Sequence, residues 1–297
     1  MSNKPRKMTL EKKHNLTGWA FLAPATFLIA VFSFWPMIKA LVLSFQTGKG
    51  RNMQMAGFTN YIRMFQDDVF IQSIKNTFFY FVLQVPIMLA VALVLACILN
   101  KKDLRFKGFF RTMIFLPCTT SLVAYSIIFR SLFANDGLVN YVLVNLGILD
   151  KPYNFLTQPF AAKMVIILAL LWRWTGYNMV FFLSGLQNIE SSVYEAAKID
   201  GASAIQTFFK ITVPLLKPTI LLTAIMSTNG TLQLFDESIN LTDGGPANAS
   251  ISMSHYIYNL CFKYVPNFGY AAAMSFFILL LVAVLAFIQM RVGDKRD

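Results

Sequence analysis

The 297-residue chain is 56% hydrophobic and 13% charged, with a formal net charge of +12; an ordinary soluble domain carries about 25% charged residues. That balance excludes a water-facing globular body and makes the bilayer the solvent for most of the chain. It also excludes nucleic-acid binding as the source of the charge, because Lys and Arg stand in short clusters between apolar runs. Cys97, Cys118 and Cys261, with His14 and His255, offer neither a disulfide framework nor metal-ligand spacing.

A membrane-spanning helix needs roughly 20 mostly apolar residues. Such runs are predicted at 19–45, 71–99, 109–133, 160–186, 211–235 and 269–290. The expected fold class is therefore an all-α integral membrane protein with about six transmembrane helices. The first run is too long for a signal-peptide core and lacks a small-residue cleavage pattern, so it counts as a span. Lys4, Arg6, Lys7, Lys12 and Lys13 precede it, and Lys101, Lys102, Arg105, Lys107 and Arg111 fill the turn after the second span. Lys198, Lys210 and Lys217 follow the fourth span, and Arg291, Lys295 and Arg296 close the chain. The opposite side has Lys49, Arg51 and Arg63, then Lys151 and Lys263. This bias places both termini in the cytoplasm of a prokaryotic inner membrane. It divides the chain into a cytoplasmic segment 1–18, a transmembrane body 19–291 and a cytoplasmic tail 292–297. Pro36, Pro86 and Pro117 interrupt spans and are read as points of helix curvature. Lys39 and Arg130 lie near span ends, where their charges snorkel to the interface.

The most informative segment is the loop 188–214 between the fourth and fifth spans. Ser191 or Ser192 is placed to cap a short helix, with Glu195 completing a capping box. Tyr194, Ala197 and Ile199 give that helix an apolar side, and Gly201 ends it. A second amphipathic piece over 205–211 is predicted to stop before Pro214. Two short helices between spans suit either a docking surface for a partner or an interfacial position on lipid.

Glu195-Ala196-Ala197, Gly201, Ile211 and Pro214 together resemble the signature loop of permeases from binding-protein-dependent ABC importers. The surrounding Tyr194 to Ala202 run is similar to the carbohydrate-importing branch. Trp172-Arg173-Trp174-Thr175-Gly176-Tyr177-Asn178, Leu183 to Gln187, Thr242 to Pro246 and Phe115-Leu116-Pro117 extend the likeness over most of the chain. Val213 stands where leucine is usual, Glu190 where proline is common and Val193 where leucine is common. The resemblance implies a type I ABC importer permease fold with short cytoplasmic coupling helices. It implies that Tyr194, Glu195, Ala196, Ala197, Asp200 and Gly201 form the ATPase-coupling site. In that family Glu195 makes polar contacts in a cleft of the ATPase, the two alanines allow close packing and Gly201 makes the turn. The implied partners are a second homologous permease, an ABC ATPase dimer, an extracytoplasmic solute-binding protein and a sugar or oligosaccharide.

Polar groups inside the membrane are costly and often functional. Trp172, Arg173, Trp174, Tyr177 and Asn178 in the fourth span combine aromatic faces with hydrogen-bonding groups, a combination suited to sugars. Ser227, Asn229, Thr231 and Gln233, with Leu234, put on the fifth span more polarity than a lipid-facing helix tolerates. These ten residues are the candidate substrate path, and the resemblance points to the same two helices. Arg173 is read three ways: as a contact for an acidic substrate group, as a partner of Asp236 or Glu237, or as pointing to the cavity mouth. Asp236, Glu237 and Asp243 are expected near the outer surface, facing a docking protein.

No Gly-x-x-x-x-Gly-Lys-Ser/Thr phosphate loop occurs, and Thr47-Gly48-Lys49-Gly50 lacks the spacing. The chain is thus expected to be a transport subunit and not an enzyme, binding no cofactor, with ATP and Mg held by the partner ATPase. Two rival readings are a permease for glycerol 3-phosphate or a phosphodiester in the same superfamily, and an ion-coupled secondary transporter. The latter needs a carboxylate near the bilayer centre, where none is placed.

Overall fold

The structure, a computed structural model, describes residues 9–49, 52–101 and 103–293. Lys4, Arg6, Lys7, Arg51, Lys102, Lys295 and Arg296 lie outside the described residues, as do residues 1–8 of the segment 1–18 and 294–297 of the tail 292–297. Helix α1 (Leu10–Ile29) continues through a π turn at Ala30–Phe34 into α2 (Trp35–Ser44), one rod of 35 residues. The π turn ends just before Pro36, whose ring would otherwise collide with the carbonyl one turn back. An antiparallel hairpin, β1 (Gln46–Lys49) and β2 (Asn52–Met55), pairs Gln46 with Met55 and leads into α3 (Thr59–Met64).

Helix α4 (Asp68–Leu99) is 32 residues long and apolar over most of its surface. Helices α5 (Lys107–Thr119) and α6 (Leu122–Leu132) follow at 99° to each other. Next come the short α7 (Leu138–Asn145) and the 29-residue α8 (Pro159–Gln187). The loop carries α9 (Ser191–Ile199), α10 (Ala204–Thr207), a π turn at Phe208–Thr212 and α11 (Val213–Leu215). Helix α12 (Lys217–Leu232) turns 70° from the run Ala204–Leu215. The chain finishes with α13 (Asp236–Thr242), α14 (Met253–Tyr258), a π turn at Asn259–Lys263 and α15 (Phe268–Gly293).

Four of these helices are long and apolar enough to cross a membrane, and six spans result if each bent pair is one. The count agrees with the sequence; the straightness does not. Pro117 was expected to curve a single span over 109–133, yet the helix ends two residues later. The reason is that local groups satisfy the freed carbonyls. Thr119 Oγ1 donates to Leu116 O at 2.8 Å and Thr120 Oγ1 to Pro117 O at 2.6 Å. A broken helix inside a bundle is stable only when such partners exist. The second amphipathic piece likewise differs from expectation, since it runs on through Pro214 to Leu215 after its own π turn.

Helices α4 and α8 pack along one another at the centre. Ala92, Ala96, Met179 and Phe182 fill one end of the core, and Tyr80, Tyr125, Ile166 and Leu170 fill the middle. Phe70, Tyr256, Tyr270 and Met274 close the end opposite α9. Helix α1 takes no part: Trp19, Phe21 and Phe27 are all exposed.

At that far end Asp67 ties three helices together. Its Oδ1 caps α4 by accepting from Val69 N and Phe70 N, and its Oδ2 accepts from Tyr256 Oη and Tyr270 Oη, both at 2.7 Å. Partial burial pushes this carboxyl up, but the two phenols and the two backbone N–H groups pull it further down, leaving it below its ordinary 3.8. A depressed carboxylate contributes stability above its unfolded pKa and loses it as pH falls through the folded one. Melting of the detergent-solubilised protein is therefore expected to weaken as pH drops below 3.8. Asp67→Asn should cost about 1–3 kcal/mol at neutral pH and lose this acid dependence. An identical acid slope in both proteins contradicts the assignment.

Candidate functional site

A cavity of about 280 Å³ opens between α4, α8 and α12 and is closed at one end by α13. Helix α8 supplies Trp174, Tyr177 and Asn178, three to four residues apart and hence on one face. Helix α12 supplies Met226, Ser227, Gly230 and Thr231, and α4 supplies Gln84 and Met88. Gln233, Leu234, Asp236 and Glu237 complete the wall. The Trp174 and Tyr177 rings meet edge to face at 5.8 Å, and Tyr177 continues to Phe181 at 5.1 Å. Asn178 Nδ2 donates to Trp174 O at 3.0 Å, while its Oδ1 accepts from Ser227 Oγ at 3.3 Å. Thr231 Oγ1 donates to Gln84 Oε1 at 2.8 Å. The wall thus joins an aromatic surface to amides, hydroxyls and two carboxyl side chains, and among the described residues no Lys, Arg or His lines it.

Seven of the ten substrate-path residues meet at this cavity: Trp174, Tyr177, Asn178, Ser227, Thr231, Gln233 and Leu234. Trp172, Arg173 and Asn229 do not line it, which corrects their placement. Trp172 lies on the other face of α8 against Tyr125 and Phe129. Asn229 is exposed and accepts from Gln233 Nε2. Arg173 is buried behind the wall, where Nη1 donates to Thr120 O at 2.9 Å across the α5–α6 break. Its guanidinium lies 4.7 Å from the Tyr125 ring and 5.3 Å from the Trp174 ring. It makes no ion pair with Asp236 or Glu237 among the described residues. Glu237, expected at the outer surface, is buried and accepts from Tyr125 Oη instead. Asp243 is exposed as expected, paired with Lys263 Nζ at 2.8 Å.

Gly176, also on α8, faces the opposite way from the wall. A Cβ there would stand 1.9 Å from Ile114 O, so α5 rests directly on the α8 backbone. Gln84 is a polar wall residue outside the ten candidates; the apolar Met88, Leu122, Leu170, Met226 and Phe235 and the glycine Gly230 are outside them too. The signal for Gln84 is an amide within a 32-residue apolar helix.

The loop after α8 is built as two opposed caps. Helix α9 ends in a Schellman turn: Gly201 N donates to Lys198 O and Ala202 N to Ala197 O, with Gly201 at φ +73°. Ser203 then caps α10 in a capping box with Gln206. The cap expected at Ser191 or Ser192 is absent, because Ser191 is already helical and the N-cap is Glu190, to which Ser192 Oγ donates. Ala197 is buried and Tyr194 half-buried with its Oη 3.4 Å from Thr212 Oγ1, whereas Glu195, Ala196 and Asp200 are exposed. Ile199, expected on the apolar side, is 86% exposed. Helix α9 therefore leans on the bundle by one side and presents Glu195, Ala196 and Ile199 outward.

Residues 70–296 match the family described as binding-protein-dependent transport system inner membrane component. The chain is 52% identical over 292 residues to the lactose transport system permease protein LacF of Rhizobium radiobacter, covering 98% of each. It is 31% identical over 290 residues to the sn-glycerol-3-phosphate transport system permease protein UgpA of Agrobacterium fabrum, covering 95% of this chain and 96% of that one. A bacterial alginate ABC transporter, solved in complex with an alginate pentasaccharide-bound periplasmic protein, has a chain of similar fold. It superposes with a TM-score of 0.84 at 25% identity, over 96% of each chain. The family match over residues 70–296 and the 52% identity to the lactose permease show that the chain belongs to the binding-protein-dependent transport system inner membrane components.

Proposed function

We infer that this chain lines the translocation path of an ATP-driven importer for a neutral sugar or oligosaccharide. The observation that carries the reading is the cavity wall. Trp174 and Tyr177 offer ring faces to a sugar, Asn178, Ser227 and Gln84 offer hydrogen bonds, and the two acidic side chains meet no cation on the wall. A phosphate ester would need a cation there, and Arg173 is committed to Thr120 behind it. This charge pattern and the greater identity to the lactose permease favour a sugar over glycerol 3-phosphate.

The α9 loop joins the two helices that carry half of this wall, so a push on α9 moves both. In this reading 19–291 is the permease body, both termini are cytoplasmic in a prokaryotic inner membrane, and 188–214 is the coupling loop. Glu195, Ala196, Asp200 and Gly201 meet one subunit of an ATPase dimer, which holds ATP and Mg, while Tyr194 and Ala197 seat α9 on the bundle. A second, homologous permease completes the path, and an extracytoplasmic binding protein delivers the sugar at the α13 end. The test is purification of the tagged chain from its native membrane, followed by ATPase assay with candidate sugar-loaded binding proteins. Co-purification of a second permease and an ATPase, with turnover raised by one loaded binding protein, is the expected result. A chain that purifies alone and transports in ATP-free vesicles overturns the reading.

A further inference from the structure

A second recess, on the bundle end that carries α9, lies apart from the cavity and shares no lining residue with it. It is a groove of about 650 Å³ between the end of α4, the inner side of α9 and the run Ala204–Leu215. Val94, Ile98 and Lys101 stand at i, i+4 and i+7, one stripe down α4 and past its last turn. That stripe is about 10 Å long at roughly 1.5 Å per residue. Ile205 and Phe209, also i and i+4, line it from the loop, and Lys198 of α9 lines it together with Lys101.

The apolar side chains here are not covered by protein: Val94 is 47% exposed, Ile98 44%, Ile205 72% and Phe209 64%. Neither Lys101 nor Lys198 makes an ion pair among the described residues, and no acidic side chain lines the groove. The run that carries Ile205 and Phe209 is turned 70° from the α12 span, an amphipathic piece across the end of the bundle. An apolar stripe beside two lysines that make no ion pair among the described residues, at a span terminus, complements a lipid chain below an anionic headgroup.

We propose that this groove binds an anionic phospholipid of the leaflet at that end, with a chain along Val94, Ile98 and Phe209 and the phosphate between Lys101 and Lys198. A zwitterionic lipid offers the same chain but brings its own cation towards the lysines. Inorganic phosphate satisfies the lysines and leaves the apolar stripe bare. The outward face of α9, with Glu195 and Ile199, is outside the groove, so the lipid braces the loop helix from behind without covering it.

The test uses the complete importer in nanodiscs and a chain-labelled photoreactive phosphatidylglycerol, beside the matched phosphatidylcholine probe. Peptides covering 94–101 and 204–209 are expected to take up the phosphatidylglycerol probe roughly tenfold more, as two basic residues near a bilayer surface allow. The double variant Lys101→Gln/Lys198→Gln should lose that preference while keeping its phosphatidylcholine labelling, which reports that the groove is folded. Equal labelling by the two probes overturns the proposal, as does a preference that survives the double substitution. Displacement of the probe by inorganic phosphate alone also overturns it and assigns the lysines to a free anion.

Discussion

Replacing Gly176 by leucine is expected to abolish the assembled bundle, with Gly176→Ala a weaker version of the same defect. The added Cβ would sit 1.9 Å from Ile114 O, 2.7 Å from Ile114 C and 3.0 Å from Phe115 Cα. All three are backbone atoms, so no rotamer change relieves the contact and α5 must move away from α8. Overpacking that displaces backbone costs about 1–3 kcal/mol even for small additions, and leucine adds far more than one methyl. The displacement also separates Arg173 from Thr120 O, leaving a buried guanidinium without its one carbonyl partner across the break. Size-exclusion profiles and melting of the solubilised protein read the effect. Melting and sugar uptake equal to the unmodified protein contradict the close approach.

Gly201→Val is expected to slow sugar-driven ATP turnover while leaving the transmembrane core intact. Nothing lies within 4 Å of a Cβ built at Gly201, so the substitution meets no clash. The effect comes from φ +73°, a conformation that costs an L-residue about 1–2 kcal/mol and a β-branched one most. That strain acts on the turn that aims α9, where Gly201 N and Ala202 N close the Schellman bonds. Transport should fall about tenfold, the factor that roughly 1.4 kcal/mol corresponds to, with membrane insertion and melting little changed. Gly201→Asn should fall between the two, since Asn tolerates the left-handed region. Equal transport by the valine and glycine proteins contradicts the role of the turn.

The six spans are legible in the sequence because each is a mostly apolar run of roughly 20 residues or more, and Gly201 is legible because a helix needs a left-handed stop there. The break at Pro117 is not, because whether a proline bends or ends a helix depends on what takes the freed carbonyls. Here Thr119, Thr120 and the distant Arg173 take the load, and the last is known only once α8 is packed. The same packing explains why Arg173, the most conspicuous charge in the fourth span, is off the cavity wall and Trp174 is on it. Adjacent residues on a helix point about 100° apart, and periodicity alone does not say which faces inward. The Ser203–Gln206 spacing is the capping signature sought at Ser191, displaced to the next helix. The hairpin at Gln46–Met55 has too little alternation to be read as strands.

The central claim is that the space between α8 and α12 is the path a sugar takes. Cysteine placed at Ser227, on the wall and hydrogen-bonded to Asn178, tests it most directly. In the complete importer with Cys97, Cys118 and Cys261 replaced by serine, the modification rate of Ser227→Cys by a membrane-impermeant maleimide is measured during turnover with the loaded binding protein. The site is expected to react, and the transported sugar to slow the reaction severalfold relative to ATP alone. A Ser227→Cys site that stays unreactive throughout turnover, or reacts at a rate the sugar leaves unchanged, would contradict that claim.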